Sequence, residues 1–216
     1  ASLLAADLPQ LREACRTAHA LVVGPGLGPG AEAWLPELLG DRGGVATVVD
    51  ADALNAFARL GPRALAALEA TDLITPHPGE AARLLGWPEG GGRVQSDRPA
   101  ALAALCALTP AVVLLKGAGT LVGHGGLEAW RNSTGNPGLA TAGSGDVLSG
   151  LAGALLARGL EAWDAARLAA WLHGRAADLL AERIGEDALI SSDLGRALGA
   201  AFREHAALVS RRKTSC

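Results

Sequence analysis

Four short apolar runs, residues 20–23 (ALVV), 45–50 (VATVVD), 72–75 (DLIT) and 111–116 (AVVLLK), recur with Ala/Leu-rich stretches between them. Runs that are apolar throughout, rather than alternating with polar residues, belong to strands covered on both faces. Separated by helical patterns over residues 32–39, 53–58, 64–69, 80–85 and 99–108, they predict an α/β fold with three layers. A central, mostly parallel sheet lies between helices. After Lys116 the pattern changes. Residues 119–131 read as a hairpin with a glycine-rich turn. Three helical stretches follow at 146–158, 163–183 and 192–210, the last opened by the capping residues Ser191, Ser192 and Asp193. Residues 211–216 (RRKTSC) are expected to form a flexible tail, leaving a single domain over residues 1–210.

In open parallel sheets, ligands bind outside the carboxyl ends of the strands. The polar and glycine-rich clusters of this chain fall there: 24–28 (GPGLG), 50–55 (DADALN), 75–80 (TPHPGE), 116–120 (KGAGT) and 132–136 (NSTGN). Each has a structural reading of its own. The first is a tight turn and, without a third spaced glycine, no dinucleotide fingerprint. Asp50 and Asp52 read as a solvated turn, and Glu80 as a helix-start residue. His77 is placed rigidly between two prolines, and His173 is a helix-packing residue. Lys116 ends a buried strand, where an unpaired ammonium is costly, so it calls for an anionic partner.

The stretch 136–150 (NPGLATAGSGDVLSG) adds a loop feeding a helix. The first N–H groups of that helix lack intrahelical partners and carry partial positive charge. Gly143 and Gly145 allow close approach and positive φ, which suits a phosphate. Asp146 then either caps the helix or acts as a base toward a hydroxyl while the helix end stabilises a transferring phosphoryl group. No Walker lysine motif and no zinc spacing is present, and Ser144 and Ser149 have no base nearby in sequence.

With 216 residues and 50% hydrophobic content, the chain can bury one substantial core. A net charge of -3 without a basic stripe argues against a nucleic-acid polymer as partner. No apolar run is long enough to span a bilayer, and residues 1–15 do not read as a signal peptide. Cys15, Cys106 and Cys216 have no paired spacing and read as reduced thiols of a cytoplasmic protein, Cys15 and Cys106 on apolar helix faces.

Taken in order, VVGPGLG, VVDADALN, LITPHPGEAARLLG, VVLLKGAGTLV and NSTGNPGLATAGSGDVLSG resemble the ADP/ATP-dependent NAD(P)H-hydrate dehydratases of the ribokinase-like superfamily. The resemblance runs from about Leu21 to the last helix. It implies repair of (6S)-NADHX or NADPHX, the hydrated forms of NADH and NADPH, with ADP cleaved to AMP (or ATP to ADP) and phosphate released. Asp146 is implied as catalytic base and substrate contact. Gly26 and His77 are implied as contacts of the hydrated cofactor. Lys116, Gly117, Ala118, Gly119, Thr120 and Gly145 are implied as AMP contacts. Asp52, Asn55, Glu80, Asn132, Asn136 and Gly143 are further pocket candidates. Mg2+ is expected with the nucleotide, and no protein metal site is expected. The resemblance further implies a homo-oligomer, tetrameric in bacterial members, and a fused or partner epimerase. It also implies an upstream strand–helix segment with a glycine-rich element, absent here, so the domain is expected to be N-terminally incomplete. Ala142 stands where many members have glycine and fits if its φ is negative. The alternatives are a hydroxymethylpyrimidine- or thiazole-type kinase of the same superfamily, or a non-catalytic nucleotide-binding module.

Overall fold

The computed structural model describes residues 5–214. Its sheet has six strands in sequential order: β1 (Leu21–Val23), β2 (Thr47–Val49), β3 (Leu73–Ile74), β4 (Val112–Leu115), β5 (Leu121–Gly123) and β6 (Trp130–Arg131). β1 to β4 are parallel, and β5 and β6 add antiparallel. The helices are α1 (Leu8–Thr17), α2 (Leu35–Gly40), α3 (Ala51–Leu60), α4 (Pro78–Leu85), α5 (Gly91–Ser96), α6 (Arg98–Cys106), α7 (Ser144–Ala157), α8 (Ala162–Ile184) and α9 (Ser191–Thr214).

Successive strand side chains point to opposite faces, and here both faces are apolar. Val49, Ile74, Val113 and Leu115 pack with α1–α6. Val48, Leu73, Val112 and Leu114 pack with α7–α9. The three layers are those expected from the unbroken apolar runs. α7 approaches closely because it carries small residues: a Cβ on Gly153 would stand 2.3 Å from Val22 Cγ2. No helix among the described residues is long and apolar enough to cross a membrane.

Several local details differ from the sequence pattern. Residues 62–67 form a 3-10 helix, not an α-helix. Gly61, at φ +94°, and Pro62 begin the segment, and Leu68 is extended, which bounds it as a short connector of the kind that 3-10 turns make. The predicted 32–39 helix is broken at Trp34 into a 3-10 turn and α2. α5, whose sequence begins Gly91-Gly92, has little helical signature. α9 runs to Thr214, so residues 211–214 continue a helix where a flexible tail was expected; residues 215–216, including Cys216, lie outside the described residues. Cys15 is buried and Cys106 half-buried, and both are free thiols. Burial raises both, Cys106 to about 11, so neither is poised as a nucleophile.

Candidate active site

The carboxyl ends of β1–β4 line one edge, and the loop from β4 to β5 lies on it. Gly24, at φ +132°, closes the β1 end so tightly that a Cβ there would lie 1.7 Å from the Asp50 carbonyl oxygen. Asp50, just after β2, is fully buried; the solvated-turn reading fails for it. It is followed by Ala51 at φ +49°, the one described non-glycine with positive φ.

Asp50 has a cation to hold. Lys116 Nζ donates to its Oδ1 at 2.7 Å, reaching from the end of β4 across β3. The anionic partner that Lys116 required is therefore supplied first by the protein itself. Glu80 Oε2 lies 3.8 Å from the same ammonium. The Ser149 hydroxyl of α7 is hydrogen-bonded at the second Asp50 oxygen.

His77 and Glu80 form a reciprocal cap for α4. His77 Nδ1 accepts from the Gly79 and Glu80 N–H groups, and Glu80 Oε2 accepts from His77 N–H at 2.7 Å. Accepting at Nδ1 requires an unprotonated nitrogen there. Partial burial lowers His77, with Glu80 opposing and the Lys116 and Arg83 charges reinforcing the fall. The helix-start reading of Glu80 thus holds, and its burial also places it beside Lys116. His77 remains half-exposed at its outer side. Asp52 is tied to the first loop by accepting from Gly28 N–H at 2.8 Å, and Asn55 accepts from Arg83 Nε at 2.9 Å. These bonds set the β1 loop, α3 and α4 side by side along the edge, with Gly26 exposed at φ +71°.

At the start of α7, Gly143 is the N-cap at φ +80° and offers no side-chain cap. Gly145 is already helical and Ala142 does not have positive φ, so alanine fits at 142. Asp146 is the third helical residue and is exposed. It is not the cap, so its carboxylate is not spent on the N-terminal N–H groups as a capping side chain would be. The turn is braced from α8: His173 Nε2 lies 3.0 Å from the Ser144 carbonyl and 3.4 Å from Ser144 Oγ. The carbonyl needs a donor, so Nε2 carries the proton and is no base for Ser144.

Burial pushes His173 down to about 4, with the Ser144 bond opposing and the Lys116 charge assisting. An unfolded histidine titrates near 6.5. Stability from its neutral form is thus complete above about pH 6.5 and is lost as pH falls toward 4, by roughly 3 kcal/mol in all. Chemical denaturation of wild type and His173→Gln at pH 7.5 and 4.5 should show the variant losing less stability on acidification; equal losses would remove this role.

The fourth part of the edge is the end of the hairpin. Asn132 is buried and spends its amide on the Thr134 and Ala170 carbonyls, with its oxygen taking the Thr134 hydroxyl. Asn136 accepts from Gly138 N–H and donates to Asp178. Both asparagines therefore shape the loop from within. A cavity of about 420 Å3 is lined by Gly119, Arg131, Asn132, Ser133, Thr134 and Gly135. Gly117 and Ala118 are exposed beside it, and Thr120 donates to the Gly117 carbonyl at 3.0 Å. Two guanidinium groups flank this loop. Arg98 bonds the Leu115 and Lys116 carbonyls, and Arg131 lies over Gly119, where a Cβ would meet its Nε at 2.6 Å. Burial lowers Arg98, and the Arg131 charge adds to the shift. Such a cationic rim suits an anionic ligand.

The NAD(P)H-hydrate dehydratase family profile matches residues 2–199. The chain belongs to this family. It is 47% identical over 170 residues to the ADP-dependent (S)-NAD(P)H-hydrate dehydratase of Neisseria meningitidis, covering 77% of this chain and 57% of that protein. It is 43% identical over 189 residues to the bifunctional NAD(P)H-hydrate repair enzyme Nnr of Moorella thermoacetica, covering 87% of this chain and 35% of that one. The chain thus spans little more than half of the first relative and about a third of the second. The ADP/ATP-dependent NAD(P)H-hydrate dehydratase of Bacillus subtilis, co-crystallised with ATP/Mg2+ and soaked with CoA, superposes with a TM-score of 0.73 at 25% identity, over 90% of this chain and 71% of that one. A ribokinase-like superfamily protein from Enterococcus faecalis shares the fold at 0.74 and 24% identity, over 92% and 68%. The ribokinase-like architecture is as expected.

Within this dehydratase fold, sequence reasoning passed over Asp50, Ser149, Arg98 and Arg131 as site residues. Asp50 carried the available signal, since a carboxylate ending an apolar run stands where a buried strand meets the ligand edge. Arg98 carried none, since it reaches the loop from α6, whereas Arg131 closes the predicted 119–131 hairpin and pairs with Leu121 beside the loop.

Proposed function

We propose that the chain restores NADH or NADPH from (6S)-NADHX or NADPHX, using ADP, or ATP, as phosphoryl donor. One observation carries this reading. An exposed carboxylate, Asp146, stands in the first turn of a helix whose N–H end has no side-chain cap and lies beside the Lys116 ammonium. Base and anion hole thus occupy one turn.

Asp146 takes the proton of the ring hydroxyl as its oxygen bonds to the terminal phosphorus, and the bond from that phosphorus to the AMP leaving group breaks. The N–H groups at the α7 start, apart from that of Ser144, which bonds the Thr141 carbonyl, stabilise charge on the phosphoryl oxygens. The ring hydroxyl becomes a phosphate ester, a better leaving group. Loss of phosphate together with the neighbouring ring proton restores the double bond. Gly26 and His77 hold the hydrated cofactor; Lys116, Gly117, Ala118, Gly119, Thr120 and Gly145 hold the nucleotide, with the cavity beside Gly119 taking its adenosine end. Asp52, Asn55, Glu80, Asn132, Asn136 and Gly143 shape the pocket. Among the described residues no three His, Cys, Asp or Glu side chains are grouped to hold a metal ion. Mg2+ would be carried by the nucleotide's phosphates, where it would neutralise phosphate charge.

The placement in the cytoplasm rests on the reading of the cysteines as reduced thiols, and the homo-oligomeric state on the family resemblance. Bifunctional relatives support a fused or partner epimerase. The test is ultraviolet absorbance of S-NADPH-hydrate with this protein, Mg2+ and either ADP or ATP. Recovery of the reduced-nicotinamide band with matching phosphate release is the expected result, and the nucleotide that supports it is the donor. A phosphorylated product without recovery would mean a kinase, and nucleotide binding without turnover a binding module.

A further inference from the structure

A lysine side chain has four rotatable carbon bonds and is not by itself a precise device. Here its position is set from behind. Besides the 2.7 Å bond to Asp50 Oδ1, Lys116 Nζ would lie 3.4 Å from a Cβ on Gly145, the second residue of α7. Asp50 is itself held, because the Ser149 hydroxyl is within bonding range of its second oxygen and, at 2.9 Å, of the Gly145 carbonyl. One hydroxyl therefore joins the lysine's partner to the turn that carries Asp146. The carboxylates stand behind the cation: side-chain exposure falls from 18% at Lys116 to 6% at Glu80 and 1% at Asp50. An anion approaching from the open side meets the ammonium and the α7 N–H groups first.

We infer that Asp50 and Ser149 are positioning residues that fix the Lys116 ammonium against the terminal phosphoryl group of the nucleotide, not against its adenosine part. This rests on the nucleotide-dependent reading above and moves Lys116 from the AMP contact that the resemblance implies to the terminal phosphate. The proposed reading puts the nucleotide's other end toward the cavity beside Gly119 and Arg131, whereas the ammonium sits at the first turn of α7. The Asp50 side chain thus governs the site without touching the ligand. Glu80, already bonded to the His77 N–H, limits the lysine from the other side.

The experiment is calorimetric titration of wild type, Asp50→Asn and Ser149→Ala with ADP and with AMP, which differ by the terminal phosphate. The wild type should prefer ADP. In Asp50→Asn that preference should fall about tenfold or more, as loss of a charge-assisted contact implies, while AMP affinity stays unchanged. Ser149→Ala should move the same ratio in the same direction by less, and it carries the test alone if Asp50→Asn does not fold. AMP and ADP weakening together would mean a general structural role. An unchanged ratio in the folded variants, or a wild type indifferent between the two nucleotides, would equally overturn the inference. The nicotinamide-recovery assay on the same wild type separates the two readings. A protein that shows the shift in ratio yet never restores the band contradicts the proposed reaction and leaves the placement of Lys116 standing.

Discussion

Asp146→Asn is expected to lower kcat for nicotinamide recovery by about 100- to 10,000-fold, the range for loss of a positioned general base, while leaving nucleotide affinity largely unchanged. The substitution is nearly isosteric and sits at an exposed position in the first helical turn, so the fold should hardly notice it. Losing a negative charge near a helix N-terminus costs about 0.3–1 kcal/mol. The amide keeps the shape of the carboxylate but cannot take the hydroxyl proton. Single-turnover kinetics with saturating ADP separates this loss from weaker binding, and unchanged turnover would remove Asp146 as the base.

Arg42→Ala should destabilise the fold by about 3–5 kcal/mol, the usual result of removing one partner from a buried ion pair. That is a large share of the 5–15 kcal/mol typical of a domain. Arg42 is 2% exposed and Asp72 0%. The guanidinium bonds Asp72 at 2.6 Å, the Val45 carbonyl at 2.9 Å and the Leu39 carbonyl, while Glu69 Oε1 lies at 3.4 Å. Asp72 also accepts from the Thr47 and Glu69 N–H groups. This cluster ties the amino ends of β2 and β3 together, opposite the site. Burial already pushes the Asp72 carboxyl up, against the pull of those N–H groups and of Arg42. Without Arg42 it rises further, so part of the lost stability should return as pH is lowered and Asp72 takes a proton. Urea denaturation reads both effects. A midpoint that does not move would mean the pair contributes nothing net.

The layers and the fall of the polar and glycine-rich clusters at one sheet edge were legible because hydrophobic periodicity and loop chemistry are local properties. VVLLK must be a buried strand, since nothing else uses five such residues with a charge at the end. GSGD must be a loop feeding a helix. What was misread lay where local signals conflict. Residues 64–69 had helical composition, yet the segment runs from Pro62 to Ala67 as a 3-10 helix between Gly61 and the extended Leu68. Residues 211–216 read as a flexible tail, yet 211–214 continue α9.

The sequence by itself determined that this is a three-layer α/β chain of the NAD(P)H-hydrate dehydratase family, with its polar and glycine-rich clusters at the carboxyl edge and Asp146 at a helix start. Only the tertiary structure decided which polar groups face each other there. Lys116 and Asp50 are 66 residues apart, and Asp50 and Ser149 are 99 apart. Side-chain hydrogen bonding acts over about 3 Å, so pairs so distant in sequence leave no spacing to read. Whether a carboxylate is solvated or buried against an ammonium is settled when the sheet brings β2 beside β3 and β4 and lays α7 across their ends.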